Sequence, residues 1–145
     1  MRVEENKALV RRFTEEFRNR GDLAVADELL APNYVLHAGL GGDIHGPEGM
    51  KQDIVVARSA FPDLHITIDD MVAEGDKVAS RWTIRGTHRG AHTQLGIAPT
   101  GKQVTGWGMS IDRIVGGKIV ETWNRYDSLG LMQQLEAVTI KTASK

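Results

Sequence analysis

The sequence predicts an α+β fold, with helices in the first part of the chain and a mainly antiparallel sheet in the second. Two observations lead to this prediction. Apolar residues recur at helical spacing up to about residue 61, and they alternate with polar residues at strand spacing from about residue 64. The strands follow one another through short turns, without the β-α-β alternation typical of a parallel sheet. We therefore expect helices packed on one side of a sheet.

Three helices are expected before residue 61. The first covers about residues 4–19, where apolar residues recur every three or four positions and charged residues occupy the other side. Gly21 ends this helix, and Asp22 can cap a second, short one. After a brief strand at 34–36, a glycine-rich loop leads to Pro47, which suits the first position of a third helix.

Strands are expected from Leu64 onward, joined largely by hairpins. The last two strands flank Val115-Gly116-Gly117, which we interpret as a three-residue turn with a glycine in the left-handed conformation. A short helix follows the last strand. The three long strands are expected at about 77–89, 103–114 and 118–126.

Composition and charge narrow the classes of function. The 145 residues suit a single domain over 1–145, with a core of about 6–135 and a polar tail at 139–145 that we expect to fray. The net charge of -1 and the scattered basic residues disfavour a nucleic-acid partner. The lack of cysteine excludes a disulfide or a thiolate metal site. Neither a signal peptide nor a run of roughly 18 apolar residues is present, so we expect a cytoplasmic protein with no membrane partner.

The last two strands contribute a cluster of candidate site residues. Counting back from a three-residue turn opposes Met109 to Trp123 and Trp107 to Arg125, so these four share one face with Asp127. If that face is concave, Asp127 is a carboxylate in an apolar pocket, where it can act as a general acid or base. Alternatively, Asp127 caps the final helix. The two roles do not exclude each other.

Two histidines and a tryptophan extend the candidate site. Trp82 and His88 share one face of the long strand, where they form either a wall for a ring-shaped ligand or part of the core. His37 follows a strand beside the glycine-rich loop, at a pocket rim or on the surface. His88 and His92 are four residues apart, but in a strand and a loop. Because no HExxH motif or acidic cluster accompanies them, we expect no metal site.

Several segments of the chain, in their order and spacing, resemble the SnoaL-like polyketide cyclase (ester cyclase) family of the nuclear transport factor 2-like superfamily. The resemblance extends from about residue 6 to 135. The segments are YVLH at 34–37, HGPEGMK at 45–51, AFPDLHITIDDMVAEGDKVASRWTIRGTHRG at 60–90, APTGKQV at 98–104 and IDRIVGGKIVETWNRYDSLGLMQQL at 111–135.

The resemblance implies a cone-shaped α+β barrel, with a curved sheet wrapped around the N-terminal helices, as in ketosteroid isomerase and scytalone dehydratase. The founding enzymes of the family close a polyketide ring by intramolecular aldol condensation, without a metal or an organic cofactor. Their catalytic aspartate lies in a W-x-x-x-D segment that matches Trp123 and Asp127. His37 and His88 match positions that line the pocket in relatives. Many relatives carry aspartate directly after the tryptophan, where this chain has Asn124.

We therefore expect a cofactor-independent cyclase, lyase or isomerase that acts on a cyclic or polyketide-like molecule. In this hypothesis Asp127 takes a proton next to a carbonyl, while a histidine or arginine stabilises the enolate. Two alternatives stay open: a non-catalytic module that binds small molecules, and an assembly domain. The expected partners are a small apolar or aromatic ligand and further copies of the chain, as a homodimer or tetramer formed through the outer sheet face.

Overall fold

The computed structural model describes residues 2–38, 42–91, 96–139 and 141. The helices precede the long strands, except for one that follows the last strand. They are α1 (Arg2–Arg12), a π-helical segment (Phe13–Asn19) that continues it, α2 (Ala24–Leu29), α3 (Gly46–Ala60) and α4 (Ser128–Gln134). The strands are β1 (Leu30–His37), β2 (Ile44–His45), β3 (His65–Glu74), β4 (Lys77–Thr87), β5 (Gln103–Val115) and β6 (Lys118–Tyr126).

The strands form one curved, unclosed sheet in the order β2-β1-β6-β5-β4-β3. Strands β1 and β6 are parallel, and the other neighbouring pairs are antiparallel. The α+β prediction is confirmed. No helix in the described ranges is both long and apolar enough to cross a membrane. Most of the predicted polar tail, residues 140 and 142–145, lies outside the described residues.

The core lies between the helices and the concave face of the sheet. Helix α1 packs against β3 and β4, and α3 packs against β1. Phe17, Met50 and Val78 are fully buried there, and the ring of Phe17 stacks on Phe13 with a centroid distance of 4.8 Å. Burial of one such side chain contributes roughly 1.5–3 kcal/mol. The apolar faces predicted for the helices and for the strands therefore pack against each other.

The turn between β5 and β6 differs from the prediction. Val115 pairs with Lys118, so the turn has two residues, Gly116 and Gly117, rather than three. Their φ angles are 60° and 79°, and two consecutive left-handed residues make a turn whose twist matches that of the flanking strands. The double glycine favours this turn because glycine adopts positive φ without steric strain.

A bulge on β6 compensates for the shorter turn. The turn alone would shift the register by one residue and exchange the two faces of β6. Val120 is the additional residue, between the two pairs nearest the turn and the rest of the ladder. As a result Met109 lies opposite Arg125, and the predicted pairing of Met109 with Trp123 is wrong. The displacement is two residues in total, and an even displacement leaves each side chain on its predicted face.

The face that carries Trp107 and Met109 is convex, and the expectation of a concave position is wrong. These two side chains are 53% and 52% exposed, and Trp123 and Arg125 on β6 are exposed on the same side. The reason lies in the pairing of β5 with β4, where Asp112 lies opposite the buried Val78. The even-numbered residues of β5 therefore face the helices, and the odd-numbered residues face outward.

Candidate active site

A cavity of about 430 Å³ lies between the helices and the concave face of the sheet. Its volume falls in the range of pockets that bind small molecules. Most of its wall is apolar, with contributions from Phe61, Ile66, Ile68, Trp82, Ile84 and Leu131. The polar residues of the lining are Thr14, Arg18, Asp53, Ser80, Ser110, Asp112, Thr122, Asn124 and Tyr126. An apolar wall with a few polar groups suits a small, largely apolar ligand.

A chain of three hydrogen-bonded side chains ends at a carboxylate of the cavity wall. The Tyr34 hydroxyl donates to Thr122 Oγ1 at 2.8 Å, and the Thr122 hydroxyl donates to Asp112 Oδ1 at 2.6 Å. Thr122 and Asp112 lie opposite each other on β6 and β5, which sets this contact. Burial raises the pKa of Tyr34, so its phenol stays a neutral donor. All three residues are buried.

Burial raises the pKa of Asp112 to about 6. The hydrogen bond from Thr122 and the positive charge of Arg18 oppose this rise, because both stabilise the ionised form. A carboxyl group with this pKa can accept and release a proton near neutral pH, as a general acid or base requires. Asp112 is therefore the strongest candidate for proton transfer among the described residues of the cavity.

Trp82 is the one predicted site residue that lines the cavity. Its indole N–H donates to Ser110 Oγ at 2.9 Å across the β4–β5 pair. Gly108 makes room for the ring, because a methyl group there would lie 2.5 Å from Cη2 of Trp82 and 2.6 Å from the carbonyl oxygen of Arg125. The glycine thus allows the tryptophan to lie flat across β5 as part of the wall.

His88 lies beside the cavity without lining it. Its fully buried ring stacks on Phe61 with a centroid distance of 5.3 Å, and Phe61 belongs to the lining. The backbone N–H of Thr100 donates to His88 Nδ1 at 3.2 Å, which assigns the proton of the neutral ring to Nε2. Nε2 has no hydrogen-bond partner in the described part of the chain. A catalytic role for His88 stays a prediction.

Asp127 lies outside the cavity, at the start of α4. Its Oδ1 accepts a hydrogen bond from the backbone N–H of Gly130 at 2.9 Å, and its own N–H donates to the Trp107 carbonyl at 3.0 Å. The residue is exposed. Of the two roles that the sequence left open, this geometry is that of a helix cap. The expected position of Asp127 in an apolar pocket is wrong. A catalytic role for Asp127 itself remains a prediction.

The structure brings His37, Trp123 and Arg125 together on the convex side of the sheet. The His37 ring stacks on Trp123 at a centroid distance of 5.6 Å, and Arg125 Nη1 donates to the His37 carbonyl at 3.1 Å. His37 also contacts Glu121 Oε2 at 2.6 Å and Asp43 Oδ2 at 3.1 Å. The hydrogen bond to Glu121 raises the pKa of His37. None of these residues belongs to the cavity lining.

The described residues can be searched for side chains that could bind a metal ion together. In the described part of the chain, no group of three or more histidines and carboxylates is arranged to hold a metal ion. His92, four residues after His88, belongs to segment 92–95, which lies outside the described residues.

Comparison with known proteins places the chain in a family. The model of the SnoaL-like polyketide cyclases matches residues 8–135. The chain belongs to this family. The resemblance inferred from the sequence is thereby confirmed, and the nuclear transport factor 2-like fold with it. A search of curated proteins finds no match.

Three solved structures illustrate the similarity. IdmH of Streptomyces antibioticus, a candidate polyketide cyclase, is 33% identical, with a TM-score of 0.79 over 90% of this chain and 98% of its own. AclR of Streptomyces galilaeus, a candidate hydroxylase, is 29% identical, with a TM-score of 0.81 over 94% and 99%. TsrD of Streptomyces laurentii is 32% identical, with a TM-score of 0.81 over 93% and 97%.

Sequence reasoning missed the polar residues of the cavity. Ser80 was visible as a polar residue on the same strand face as Trp82 and His88, a signal that points to a site within an apolar surface. Asp112 was not visible in this way, because the face of β5 that it occupies depends on how β5 pairs with β4. The lone acidic residue between Ile111 and Ile114 carries no strand-face signal of its own.

Proposed function

We propose that this SnoaL-family protein is a cofactor-independent enzyme that cyclises or isomerises a small polyketide-like or cyclic carbonyl compound. The observation that carries the proposal is the carboxyl group of Asp112, buried in the wall of an apolar cavity and hydrogen-bonded by Thr122. The name of IdmH, a candidate polyketide cyclase at 33% identity, supports the choice of reaction class.

The proposed reaction begins at the carbon next to a carbonyl. The Asp112 carboxylate accepts a proton from this carbon, and the C–H electron pair forms the enolate. For ring closure, the enolate carbon attacks a second carbonyl of the same molecule and forms the new C–C bond. The proton held by Asp112 then returns to the alkoxide oxygen that the attack creates. No net oxidation or reduction occurs.

The other polar residues of the wall support Asp112 as the acid or base. Asn124, at the position where many relatives carry aspartate, lines the cavity as an amide and cannot accept a proton at neutral pH. Asp53 is a second carboxylate of the lining, on α3, but it is only half-buried. Asp112 is buried, and burial raises its pKa toward neutrality.

Deuterium exchange tests the proposed proton transfer. The probe is 2-acetylnaphthalene in D₂O, and mass spectrometry follows deuterium uptake into its acetyl methyl group. We expect the protein to accelerate uptake well above a buffer of equal carboxylate concentration. Asp22→Asn, at an exposed carboxylate, serves as the matched control and should exchange like the parent. Binding without exchange, across a panel of enolisable ketones, would favour the non-catalytic binding module instead.

Variants of Asp127 separate its two roles. Because the side chain caps α4, we expect Asp127→Ala to lower the free energy of unfolding by about 1 kcal/mol in urea titrations. Asp127→Asn should keep the cap, since asparagine also accepts at this position. Both variants should exchange the probe like the parent. A loss of turnover by roughly 10²–10⁴-fold in Asp127→Asn would instead support the catalytic role predicted from the sequence.

The convex face of the sheet supports the proposed homodimer or tetramer. It carries a groove of about 530 Å³ whose lining includes Val72, Met109, Ile111 and Trp123, all of them exposed apolar side chains. Contiguous apolar surface of this kind marks association sites in soluble proteins. Arg81, Arg125 and Asp70 also line the groove, and charged side chains of this kind match the polar rim of such an interface.

Sedimentation equilibrium at micromolar concentration tests the assembly. We expect at least twice the chain mass of 15.9 kDa. Ile111→Lys, in the groove, should weaken association by roughly tenfold or more, because it buries an unpaired charge. Val55→Lys, at an equally exposed apolar position on α3, should leave the mass unchanged. A monomeric parent would contradict the proposal.

A further inference from the structure

Ser80 carries a buried hydroxyl group that has no partner among the described residues. The residue is only 7% exposed, and its Oγ makes no hydrogen bond within the described ranges. It lies on the concave face of β4, between Val78 and Trp82, and it lines the cavity. Native proteins rarely leave such a group unsatisfied, since its desolvation is then uncompensated. Because Ser80 belongs to the cavity lining, a ligand bound in the cavity can supply the partner of this hydroxyl.

The neighbouring hydroxyl group of Ser110 is not the hydrogen-bond partner of Ser80. Ser110 lies directly opposite on β5 and accepts the indole N–H of Trp82, but no hydrogen bond joins the two serines. Within the described residues, Ser80 Oγ is therefore left available to a ligand as a donor.

Ser80 and Asp112 are placed to act on one functional group. Asp112 lies opposite Val78 on β5, so Ser80 and Asp112 are diagonal neighbours on the same sheet face. Diagonal neighbours in an antiparallel pair are roughly 7–8 Å apart at the backbone, and their side chains approach more closely. This spacing accommodates a C–C=O unit, with the oxygen at Ser80 and the adjacent carbon at Asp112.

We propose that Ser80 Oγ–H donates to the carbonyl oxygen of the substrate while the carbon next to this carbonyl lies against Asp112. The inference rests on the proposed function and names a further catalytic residue for it. When Asp112 accepts the α-proton, the C–H electron pair becomes the C=C bond. The carbonyl π pair moves to the oxygen, where the hydrogen bond from Ser80 stabilises the negative charge.

Infrared spectroscopy of a bound probe tests the hydrogen bond directly. The probe is 2-acetylnaphthalene labelled with ¹³C at the carbonyl, at a concentration that saturates the protein. In the parent we expect its C=O stretch at a lower frequency than in an apolar solvent. In Ser80→Ala the stretch should return to the apolar-solvent value. Ser59→Ala, at an exposed serine of α3, is the matched control and should match the parent. An identical stretch in the parent and in Ser80→Ala would overturn the inference.

Deuterium exchange of the same probe distinguishes this inference from the proposed function. We expect Ser80→Ala to slow the exchange by roughly 10²–10³-fold, as the loss of an oxyanion donor does in other enzymes. A Ser80-dependent stretch without any exchange would support the carbonyl site and contradict the enzyme. Exchange that is equal in the parent and in Ser80→Ala would support the enzyme and contradict the role of Ser80. A parent that does not bind the probe would contradict both.

Discussion

Asp112→Asn is expected to slow proton transfer in the cavity sharply and, above pH 6, to stabilise the fold. Asparagine keeps the shape of the side chain and still accepts the hydrogen bond from Thr122. It cannot take a proton from carbon, so the rate of probe exchange should fall by roughly 10²–10⁴-fold. The exchange rate of the parent should rise with pH around the Asp112 pKa of about 6, because the ionised form is the base.

The stability of the parent should depend on pH in the opposite sense to its exchange rate. In the folded protein the pKa of Asp112 is about 6, against 3.8 for a free aspartate, so the folded state binds more protons between these values. The parent therefore loses stability as the pH rises from about 4 to about 6, by up to about 3 kcal/mol from this group. Asp112→Asn lacks this loss.

Urea titrations at pH 4.5 and pH 8 measure this difference. The free energy of unfolding of Asp112→Asn should exceed that of the parent at pH 8, and the gain should shrink at pH 4.5. Asp22→Asn, at an exposed carboxylate, controls for the change in net charge. An Asp112→Asn variant that exchanges the probe like the parent, with the same pH profile, would show that Asp112 is not the base.

Gly90→Ala is expected to destabilise the fold by about 3 kcal/mol or more. Gly90 lies where the chain leaves β4 and crosses the end of α3, and its N–H donates to the Ala60 carbonyl at 3.1 Å. A methyl group at this position would overlap the carbonyl oxygen of Ser59, which is backbone and cannot rotate away. Either α3 or the segment after β4 must move, and both support the ring stack of Phe61 and His88.

Gly75→Ala is the matched control for this prediction. Gly75 adopts φ +58°, and a methyl group there would meet no atom within 4 Å. Its substitution should therefore cost only the strain of the left-handed backbone, about 1–2 kcal/mol. Urea titration of both variants compares steric overlap with backbone strain. A smaller loss for Gly90→Ala than for Gly75→Ala would contradict the assigned close approach.

The elements themselves were largely predictable from local signals. Helix α3 begins at Gly46, one residue before Pro47, and β4 covers most of the segment read as a long strand. These features depend on apolar periodicity and on residues with restricted backbones, both of which act over a few positions. The β5–β6 turn was the exception. Two glycines are compatible with a two-residue or a three-residue turn. The bulge at Val120, which sets the register of the rest of the pair, cannot be recognised from a valine in the sequence.

The sequence by itself determined the fold class, the family and the two faces of each strand. It could do so because periodicity and motif spacing are properties of neighbouring residues. Only the tertiary structure decided which face of β5 and β6 is concave, because that depends on how β4 and β5 pair and on which side the helices pack. This choice turned Trp123 outward, left Asp127 as a helix cap, and buried Asp112 beside Ser80 in the cavity. Burial raises the pKa of Asp112 to about 6, a value suited to proton transfer, because the apolar wall and the helices exclude water from the carboxylate.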